Sequence, residues 1–596
     1  MPVFDDGQKE TEVPEVEDVV ETDVLVVGSG PAGSSAALFL STLGVDNIMI
    51  TKYRWTANTP RAHITNQRAM EIFRDMGIED QVLADATPHD LCGDTVFCTS
   101  IAGEEIGRIK TWGTRPDREA DYQLASPCLT VDIPQTYLEP ILVRNATTRG
   151  TQSRFSTEYL SHVQDEDGVT TTARDRLTGH EYKIRSKFLI GADGARSKVA
   201  EDIGLPYEGK MDIAGSMNIT FKADISQLVD HRPSVLYWVI QPGSNVGGIG
   251  TGLVRMVRPW DEWLIVWGYD INEEPPNLDD EMAKGIVRDL LGMPDLEPEI
   301  TGYSLWGVNE MYATHLQKGR VFCAGDAIHR HPPSNGLGSN TSVQDSYNLA
   351  WKLAAVLRGQ ADASLLESYS AERAPVAKRI VTRANRSARE FIDIFEALGV
   401  VGLDGDEMAK AIEERKANTP EGAAKRAALV KAMDTKNYEF NAHGVELGQF
   451  YESNAVVSDG TRPAPTADED LYYQMSTSPG AHIPHAWVGN NVDKRALMDL
   501  APYSRWTLLT GVTGEAWASA AGKIADELGL PLETVVIGPG HEVTDLYYDW
   551  TKLREVEESG AVLVRPDKHV AWRSMSLPED PESALRSALT QVLGRA

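Results

Sequence analysis

A glycine-rich turn near the start of the chain has the spacing of a nucleotide phosphate site. Gly28, Gly30 and Gly33 follow the apolar, β-branched run 23–27 and precede an alanine-rich run. In such a strand–turn–helix order, Gly28 and Gly30 let backbone amides approach a pyrophosphate, and Gly33 permits close helix packing. With a second strand at 47–50, the pattern predicts a βαβ dinucleotide-binding unit. A glycine-rich turn of any α/β protein is the alternative interpretation.

The segment after this unit reverses the charge of the chain. Residues 51–68 contain Lys52, Arg54, Arg61 and Arg68 and no acidic residue, whereas the chain of 596 residues has 57 Lys and Arg against 88 Asp and Glu, a formal net charge of −31. A polyphosphate can bind to so acidic a protein only where the sign is locally reversed. The segment is therefore predicted to bind the phosphates of one or two nucleotides; a solvated basic loop is the alternative.

Two further strand ends carry carboxylates. Asp193 follows the apolar run 187–191, and Asp326 follows the run 319–325. Because parallel strands end at one edge of a sheet, and ligands of open α/β sheets bind at that edge, both carboxylates are predicted to face the nucleotide. The proline- and glycine-rich loop 332–340 precedes a helix and is predicted to form an anion or carbonyl cradle.

The composition excludes several function classes. Hydrophobic residues make up 42% and charged residues 24%, with 50 glycines and 31 prolines, which is typical of a folded globular chain. The negative charge argues against nucleic acid or an anionic membrane as a partner, and no apolar run approaches the roughly 18 residues that span a bilayer. The four cysteines show neither metal-ligand nor disulfide spacing, which predicts a cytoplasmic protein without a metal site.

The three motifs in this order resemble the FAD fold of the single-component flavoprotein aromatic hydroxylases of the phenol hydroxylase type. The resemblance covers residues 20–400 and is carried further by the runs 59–68, 236–240, 255–260 and 329–340. It implies FAD as the cofactor, O2 as a substrate, and NADPH or NADH as a transient cosubstrate. It also implies a homo-oligomer, a dimer or a tetramer.

The fold class that follows is α/β, or α+β overall, with a Rossmann-like FAD-binding domain. β-Branched and aromatic runs predict an antiparallel substrate sheet, and the strand–helix–strand–hairpin order near the C-terminus suits a thioredoxin-like domain without a CxxC motif. The predicted parts are an acidic disordered tail (1–22), the FAD-binding domain (23–204 and 303–400), the substrate-binding domain (205–302), a helical linker (401–440) and the thioredoxin-like domain (441–596).

The resemblance also assigns roles to single residues. Asp326 is expected to bind a ribityl hydroxyl, Gln135 to contact the flavin and Arg61 to bind the pyrophosphate. Thr51 and Lys52 stand where an acidic residue usually binds the adenosine ribose, which leaves that contact open. The predicted cofactor-binding residues are Gly28, Gly30, Gly33, Thr51, Lys52, Arg61, Gln135, Asp193, Asp326, Pro333, Gly336, Gly338 and Asn340.

His63 is the predicted catalytic base, because it stands where related phenol hydroxylases carry an Asp or a His that contacts the substrate hydroxyl. In that family a hydroperoxide at flavin C4a supplies an electrophilic oxygen, which a phenol accepts readily once it is deprotonated. Proton transfer from a phenol of pKa near 10 to a histidine near 6.5 costs about 5 kcal/mol, and ring chlorines reduce this cost. The predicted substrate-binding residues are His63, Leu236, Trp238, Arg255 and Pro332.

The predicted activity is ortho-hydroxylation of a substituted phenol, such as 2,4-dichlorophenol, to a catechol. The nicotinamide nucleotide is expected to bind near Lys52, Arg54 and Arg68. Alternatives are a 2-hydroxybiphenyl or other phenol 3-monooxygenase, a non-hydroxylating flavin oxidoreductase, and a flavin-binding sensor. For His63, a capping or core histidine is the alternative interpretation, and for Leu236, Trp238 and Trp267 it is plain core packing.

Overall fold

The computed structural model of the chain describes residues 19–241, 252–403 and 405–595. Most of its strands lie before a long helical stretch, and the rest lie after it. In chain order the strands are β1 (Val19–Val27), β2 (Asn47–Ile50), β3 (Ile64–Thr65), β4 (Asp94–Cys98), β5 (Glu105–Lys110), β6 (Val131–Asp132), β7 (Gln152–Arg154), β8 (Thr157–Gln164), β9 (Val169–Asp175), β10 (Glu181–Gly191), β11 (Tyr207–Lys222), β12 (Leu236–Val239), β13 (Gly252–Arg258), β14 (Glu262–Tyr269), β15 (Glu299–Ala313), β16 (Gln317–Lys318), β17 (Val321–Cys323), β18 (His329–Arg330), β19 (Trp487–Gly489), β20 (Lys494–Ala496), β21 (Trp506–Thr510), β22 (Leu532–Val536), β23 (Thr544–Asp545), β24 (Ala561–Val564) and β25 (Val570–Ser574).

The helices connect these strands and fill the region between the two groups. None of them, in the described ranges, combines the length and the apolar composition needed to cross a bilayer. In chain order they are α1 (Pro31–Thr42), α2 (Gln67–Asp75), α3 (Glu79–Asp85), α4 (Glu119–Ala125), α5 (Gln135–Thr148), α6 (Lys198–Ile203), α7 (Ser226–Val229), α8 (Asp280–Leu291), α9 (Leu337–Leu357), α10 (Glu367–Arg389), α11 (Ile392–Leu398), α12 (Gly405–Glu414), α13 (Pro420–Thr435), α14 (Asn437–Phe440), α15 (His443–Leu447), α16 (Glu515–Leu528), α17 (Asp549–Leu553) and α18 (Pro581–Val592).

The first sheet carries the glycine-rich turn. Its main path runs in the order β16-β17-β10-β1-β2-β7, with β9 and β8 beyond β10. β17, β10, β1, β2 and β7 are parallel. The residues that follow β1, β10 and β17 therefore lie at one edge of the sheet, as the motif order predicts.

The first strand begins earlier than the sequence pattern indicates. Residues 1–18 of the predicted acidic tail lie outside the described residues, but residues 19–22, which were assigned to the same tail, belong to β1 and pair with residues 183–186 of β10. Glu21 lies opposite Arg185 in this pairing. Glu21 was assigned to a solvated tail because it is acidic, but its basic neighbour Arg185 on the adjacent strand allows it to lie in the sheet.

An antiparallel sheet forms the predicted substrate layer, in the order β18-β15-β11-β14-β13-β12-β4-β5. Its pairs are antiparallel except that of β12 with β4. β4 and β5 come from residues 94–110, within the range assigned to the FAD-binding domain. Because β4 pairs directly with β12, we propose to count this segment with the substrate layer.

The C-terminal part has the strand order of a thioredoxin-like fold. The order is β22-β21-β24-β25, with β21 parallel to β22 and antiparallel to β24. Region 401–440 forms α12, α13 and α14, and Met408, Ile412 and Leu429 from these helices share a buried cluster with Trp238 of the substrate sheet. The predicted α/β fold class is confirmed.

The C-terminal part and the first sheet share one core through α9. Trp351 of α9 packs edge-on against Trp506 of β21, with ring centroids 5.6 Å apart. The Tyr503 hydroxyl donates to the carbonyl oxygen of Tyr347, also on α9, at 2.7 Å. The helix that begins in the glycine loop is therefore buried between the two parts of the chain.

Candidate active site

Three turns meet at the carboxyl edge of the first sheet. Gly28 has a φ of +112°, and a Cβ there would lie 2.1 Å from the Ala192 carbonyl oxygen, so the turns after β1 and β10 are in direct contact. A Cβ on Gly325, in the turn after β17, would lie 2.8 Å from the Cβ of Ala32 in α1. Ala32, Ala192 and Ala324 form a small buried cluster between these turns.

The glycine turn fits a pyrophosphate. A Cβ on Gly33 would lie 1.9 Å from the Gly28 carbonyl oxygen, whereas a Cβ on Gly30 would meet nothing nearer than Oε1 of Glu139 at 3.9 Å. Gly30 is the N-cap of α1, and Pro31 occupies its first turn. The start of α1 is therefore tightly packed at Gly33 and open at Gly30. The open side leaves the backbone amides of the helix start accessible to an anion.

The residues at the position predicted for the adenosine ribose, Thr51 and Lys52, and the predicted pyrophosphate residue Arg61 differ in exposure. Thr51 is buried, and its hydroxyl oxygen lies 3.5 Å from the Tyr53 amide that donates to it. Lys52 and Arg61 are exposed, and Arg61 Nε donates to the Thr59 hydroxyl at 3.2 Å. Lys52 thus follows β2 at the carboxyl edge of the sheet, and Arg61 lies on the loop that precedes β3.

The two motif carboxylates have different surroundings. The Asp193 carboxylate accepts hydrogen bonds from the Ser197 hydroxyl and from the amides of Lys198 and Val199, so it caps α6. Burial raises the pKa of Asp193 above its ordinary value. Asp326 is exposed at the same edge. Asp326 is thus the more accessible of the two side chains, and the partly buried Asp193 also supports its own turn.

The loop before α9 lies against the segment that carries His63. Gly336 has a φ of +60°, and a Cβ there would lie 3.3 Å from the Cβ of Ile64. Asn340 Nδ2 donates to the carbonyl oxygens of Ile64 and Gly336 at 2.8 and 2.6 Å. The Asn340 amide is therefore used to join β3 to the loop, in which Pro332 is buried and Pro333 is exposed.

His63 is held by a buried carboxylate. β3 pairs with β6, and this places His63 Nδ1 2.9 Å from Oδ2 of Asp132, which is fully buried. Burial and the nearby Arg255 lower the pKa of His63 below its ordinary value, although Asp132 opposes both effects. A carboxylate can only accept, so Nδ1 carries the hydrogen and Nε2 of the neutral ring is a free base.

Arg255 lies beside this pair, on the substrate sheet. Its Nη1 donates to the Arg61 carbonyl oxygen at 2.7 Å, and its buried Nε and Nη2 have no partner among the described residues. Burial lowers the pKa of Arg255 to about 10, although Asp132 opposes the shift. Arg255 pairs in register with Leu236 of β12, and Trp238 lies two residues along the same face. Arg255, Leu236 and Trp238 thus share one sheet face, whereas His63 lies just before β3 and Pro332 lies in the loop before α9.

Gln135 closes the site from α5. Its backbone amide donates to the Ala62 carbonyl oxygen at 2.8 Å, and its side-chain Nε2 donates to Oε1 of Glu139 at 2.5 Å. Ala62 precedes His63, and Glu139 is the residue nearest to a Cβ placed on Gly30 of the glycine turn. These two contacts place Gln135 between the glycine turn and the candidate base.

Comparison with known proteins decides the family. A family model described as an FAD binding domain matches residues 21–384, and one described as the C-terminal domain of aromatic-ring hydroxylases matches residues 476–596. The chain is 62% identical over 592 residues to phenol 2-monooxygenase of Pseudomonas sp. (strain EST1001), covering 99% of this chain and 95% of that protein. The chain belongs to the single-component flavoprotein aromatic hydroxylases.

Other relatives agree with this assignment. The hydroxylase is 53% identical over 579 residues to 2,4-dichlorophenol 6-monooxygenase of Cupriavidus pinatubonensis (strain JMP 134 / LMG 1197), covering 97% of each chain. The crystal structure of the flavin-dependent monooxygenase PieE in complex with FAD and substrate matches with a TM-score of 0.93 at 43% identity, covering 97% of this chain and 100% of that one. The predicted family and the predicted FAD cofactor are confirmed.

Sequence reasoning missed several residues of the hydroxylase site. Asp132 and Glu139 flank the Gln135 motif, and their position inside otherwise apolar segments was the available signal.

Arg68 was expected on the exposed nucleotide surface, but it is buried and ion-paired with Glu71. It lies on α2, so the helical repeat turns it away from the exposed loop before it.

Replacing Gly33 by alanine is expected to weaken FAD binding at least about tenfold, since the added Cβ would lie 1.9 Å from the Gly28 carbonyl oxygen and displace the turn. Titration of FAD into apoprotein, followed by flavin fluorescence, measures the change. Gly522→Ala, in α16 with open space around its Cβ, is the matched control and should stabilise the protein by up to about 1 kcal/mol. Normal FAD affinity in Gly33→Ala would contradict the close packing described here.

Proposed function

We propose that the hydroxylase converts a phenol to a catechol by ortho-hydroxylation, consuming NADPH or NADH and O2. The observation that carries the proposal is the 2.9 Å contact between His63 Nδ1 and the buried Asp132 carboxylate. Relatives that act on phenol and on 2,4-dichlorophenol support a phenolic substrate, with or without ring chlorines.

Asp132 orients the base. Its carboxylate holds the Nδ1 hydrogen of His63, so Nε2 accepts the proton of the substrate hydroxyl, and the imidazolium that forms is stabilised by the same carboxylate. The unpartnered N–H groups of Arg255 stabilise the phenolate oxygen, because a buried cation favours the charged form of its neighbour. Deprotonation raises electron density at the ortho carbon, and bound FAD supplies the electrophilic oxygen derived from O2.

A panel of phenols tests the proposal. Purified hydroxylase with FAD should oxidise NADPH or NADH faster when a phenol is added, and chromatography should detect the catechol. Stimulated oxidation without catechol would favour a non-hydroxylating oxidoreductase, and no stimulation by any phenol would favour a flavin-binding sensor. Either result would overturn the proposal.

The nicotinamide nucleotide is proposed to bind at the exposed surface formed by residues 52–55. Lys52 and Arg54 supply positive charge there, and Trp55 is 63% exposed with its ring 5.2 Å from that of Phe155. Arg54→Glu is expected to raise the KM for the nucleotide about tenfold, because it reverses the local sign in an acidic protein. Steady-state kinetics at fixed phenol measure this, with Arg144→Glu on α5 as a control for the change in net charge. An unchanged KM would count against this surface.

The activity should depend on pH through His63. Only the neutral ring accepts a proton, and the pKa of His63 is lowered below its ordinary value, so the decline of kcat/KM at acidic pH should be centred below pH 6.5. Asp132 raises this pKa, so Asp132→Asn should move the decline to still lower pH and reduce the plateau. A decline centred above pH 6.5 in the native protein would contradict the assignment.

The compartment and the assembly are also proposals. The four cysteines are buried free thiols, which supports a reducing cytoplasm. Assembly into a dimer or tetramer is checked by light scattering on the purified holoprotein.

A further inference from the structure

His331 presents a buried nitrogen that the site described above does not use. It lies between β18 and α9, with Nδ1 2.6 Å from the Pro332 carbonyl oxygen. Its Nε2 is buried and has no hydrogen-bond partner among the described residues. Because buried polar atoms in folded proteins nearly always have a partner, this nitrogen indicates a group that the chain itself does not supply.

The contact with Pro332 fixes the position of the proton on the ring. A carbonyl oxygen can only accept, so Nδ1 carries the hydrogen and donates it. Burial and the neighbouring His329 lower the pKa of His331 to about 4, so the ring is neutral at pH 7. Nε2 is therefore an acceptor, and the group it binds must be a donor.

This acceptor lies at the start of α9. A Cβ on Gly338 would be 3.6 Å from Nε2, and Gly336 is the N-cap of the helix. The amides of a first helical turn are free donors, so this helix end presents several donors with one acceptor beside them. The riboflavin half of FAD has the complementary pattern, because its ring oxygens and nitrogens accept while its ring N–H and ribityl hydroxyls donate.

We propose that His331 binds FAD, with Nε2 accepting a hydrogen bond from an N–H or O–H group of the riboflavin half. The contact is additional to the residues predicted from the sequence motifs. It concerns the cofactor alone and is measured without phenol, so its failure is distinguishable from a failure of the proposed hydroxylation.

FAD titration into apoprotein tests the contact. His331→Phe keeps a ring but removes the acceptor, and FAD should bind about tenfold more weakly. His331→Gln places an oxygen at a reach similar to that of Nε2 and should stay within about threefold of the native affinity. His231→Gln is the control, since the His231 side chain is 70% exposed. Thermal melting of each apoprotein checks folding.

The spectrum and midpoint potential of bound FAD identify the donor. A shift of both in His331→Phe indicates the ring N–H, and weaker binding without a shift indicates a ribityl hydroxyl. Native affinity, spectrum and potential in His331→Phe, or equal losses in the Phe and Gln variants, would overturn the proposal. If His331→Phe does not fold, His331→Asn replaces it, because asparagine can keep the Pro332 contact but is too short to reach the Nε2 position.

Discussion

Replacing His63 by alanine is expected to slow catechol formation about 100-fold or more, while FAD remains bound and is still reduced by the nicotinamide nucleotide. The imidazole is the base proposed to accept the proton of the substrate hydroxyl, and without it the phenol must react in its protonated, less electron-rich form. Electrons from the nicotinamide nucleotide that are not used for hydroxylation should instead reduce O2 to hydrogen peroxide. Catechol yield, nucleotide consumption and peroxide release, measured in one reaction, give the coupling ratio.

The acidity of the phenol provides a sharper test of the same assignment. A base matters most for a weakly acidic phenol, for which transfer to histidine is about 5 kcal/mol uphill. The loss in His63→Ala should therefore shrink along a series of increasingly chlorinated phenols. His89→Ala is the matched control, because His89 is also partly buried near β6 and its Nδ1 lies 3.1 Å from the Thr130 carbonyl oxygen rather than beside a carboxylate. Native coupling in His63→Ala, or an equal loss for every phenol, would remove the role of base.

The sequence predicts well those parts of the fold whose structure is determined by residues close together in the chain. The strand, glycine turn and helix around Gly28 depend on neighbouring residues, and β2 has the predicted bounds. Convergence of the turns at Gly28, Asp193 and Asp326 follows from one general rule, that parallel strands end at the same edge. Motif spacing together with this rule was therefore enough to predict the edge at which the three turns meet.

The remaining parts depend on pairings between distant residues. His63 and Asp132 are 69 residues apart and meet only because β3 pairs with β6. Arg68 contacts His482 of the C-terminal part, 414 residues away, which no local pattern indicates. The Asp132 carboxylate beside the candidate base and the burial of Arg68 were both missed for this reason.

A cluster of four charged side chains is buried at the junction between α9, α10 and the C-terminal hairpin. Arg565 Nη1 and Nη2 donate to the two oxygens of Glu372 at 2.6 and 2.9 Å, and Lys352 Nζ donates to Glu372 Oε2 at 2.7 Å. Arg565 also pairs with Asp567, and the four side chains are at most 2% exposed. Burial alone would raise the pKa of Glu372, but Arg565 and Lys352 hold it well below its ordinary value.

Arg565→Met is expected to destabilise the protein by about 3–5 kcal/mol, because it leaves two buried carboxylates with a single cation. The midpoint of urea unfolding, followed by circular dichroism, measures the change. Arg586→Met is the matched control: it removes an arginine that pairs with Glu527 and Glu582 at the surface and should cost less than about 1 kcal/mol.

Charge balance is what distinguishes this explanation from simple loss of packing. Without Arg565, burial raises the pKa of Glu372, so the carboxylate takes up a proton as the pH falls and its unpaired charge is removed. The difference in unfolding free energy between native protein and variant should therefore narrow as the pH falls from 8 to 5. Adding Glu372→Gln to Arg565→Met restores equal numbers of buried positive and negative charges and should recover part of the lost stability. If the double variant is as unstable as the single one, and the gap does not change with pH, the cost arises from the missing side-chain volume rather than from an uncompensated carboxylate.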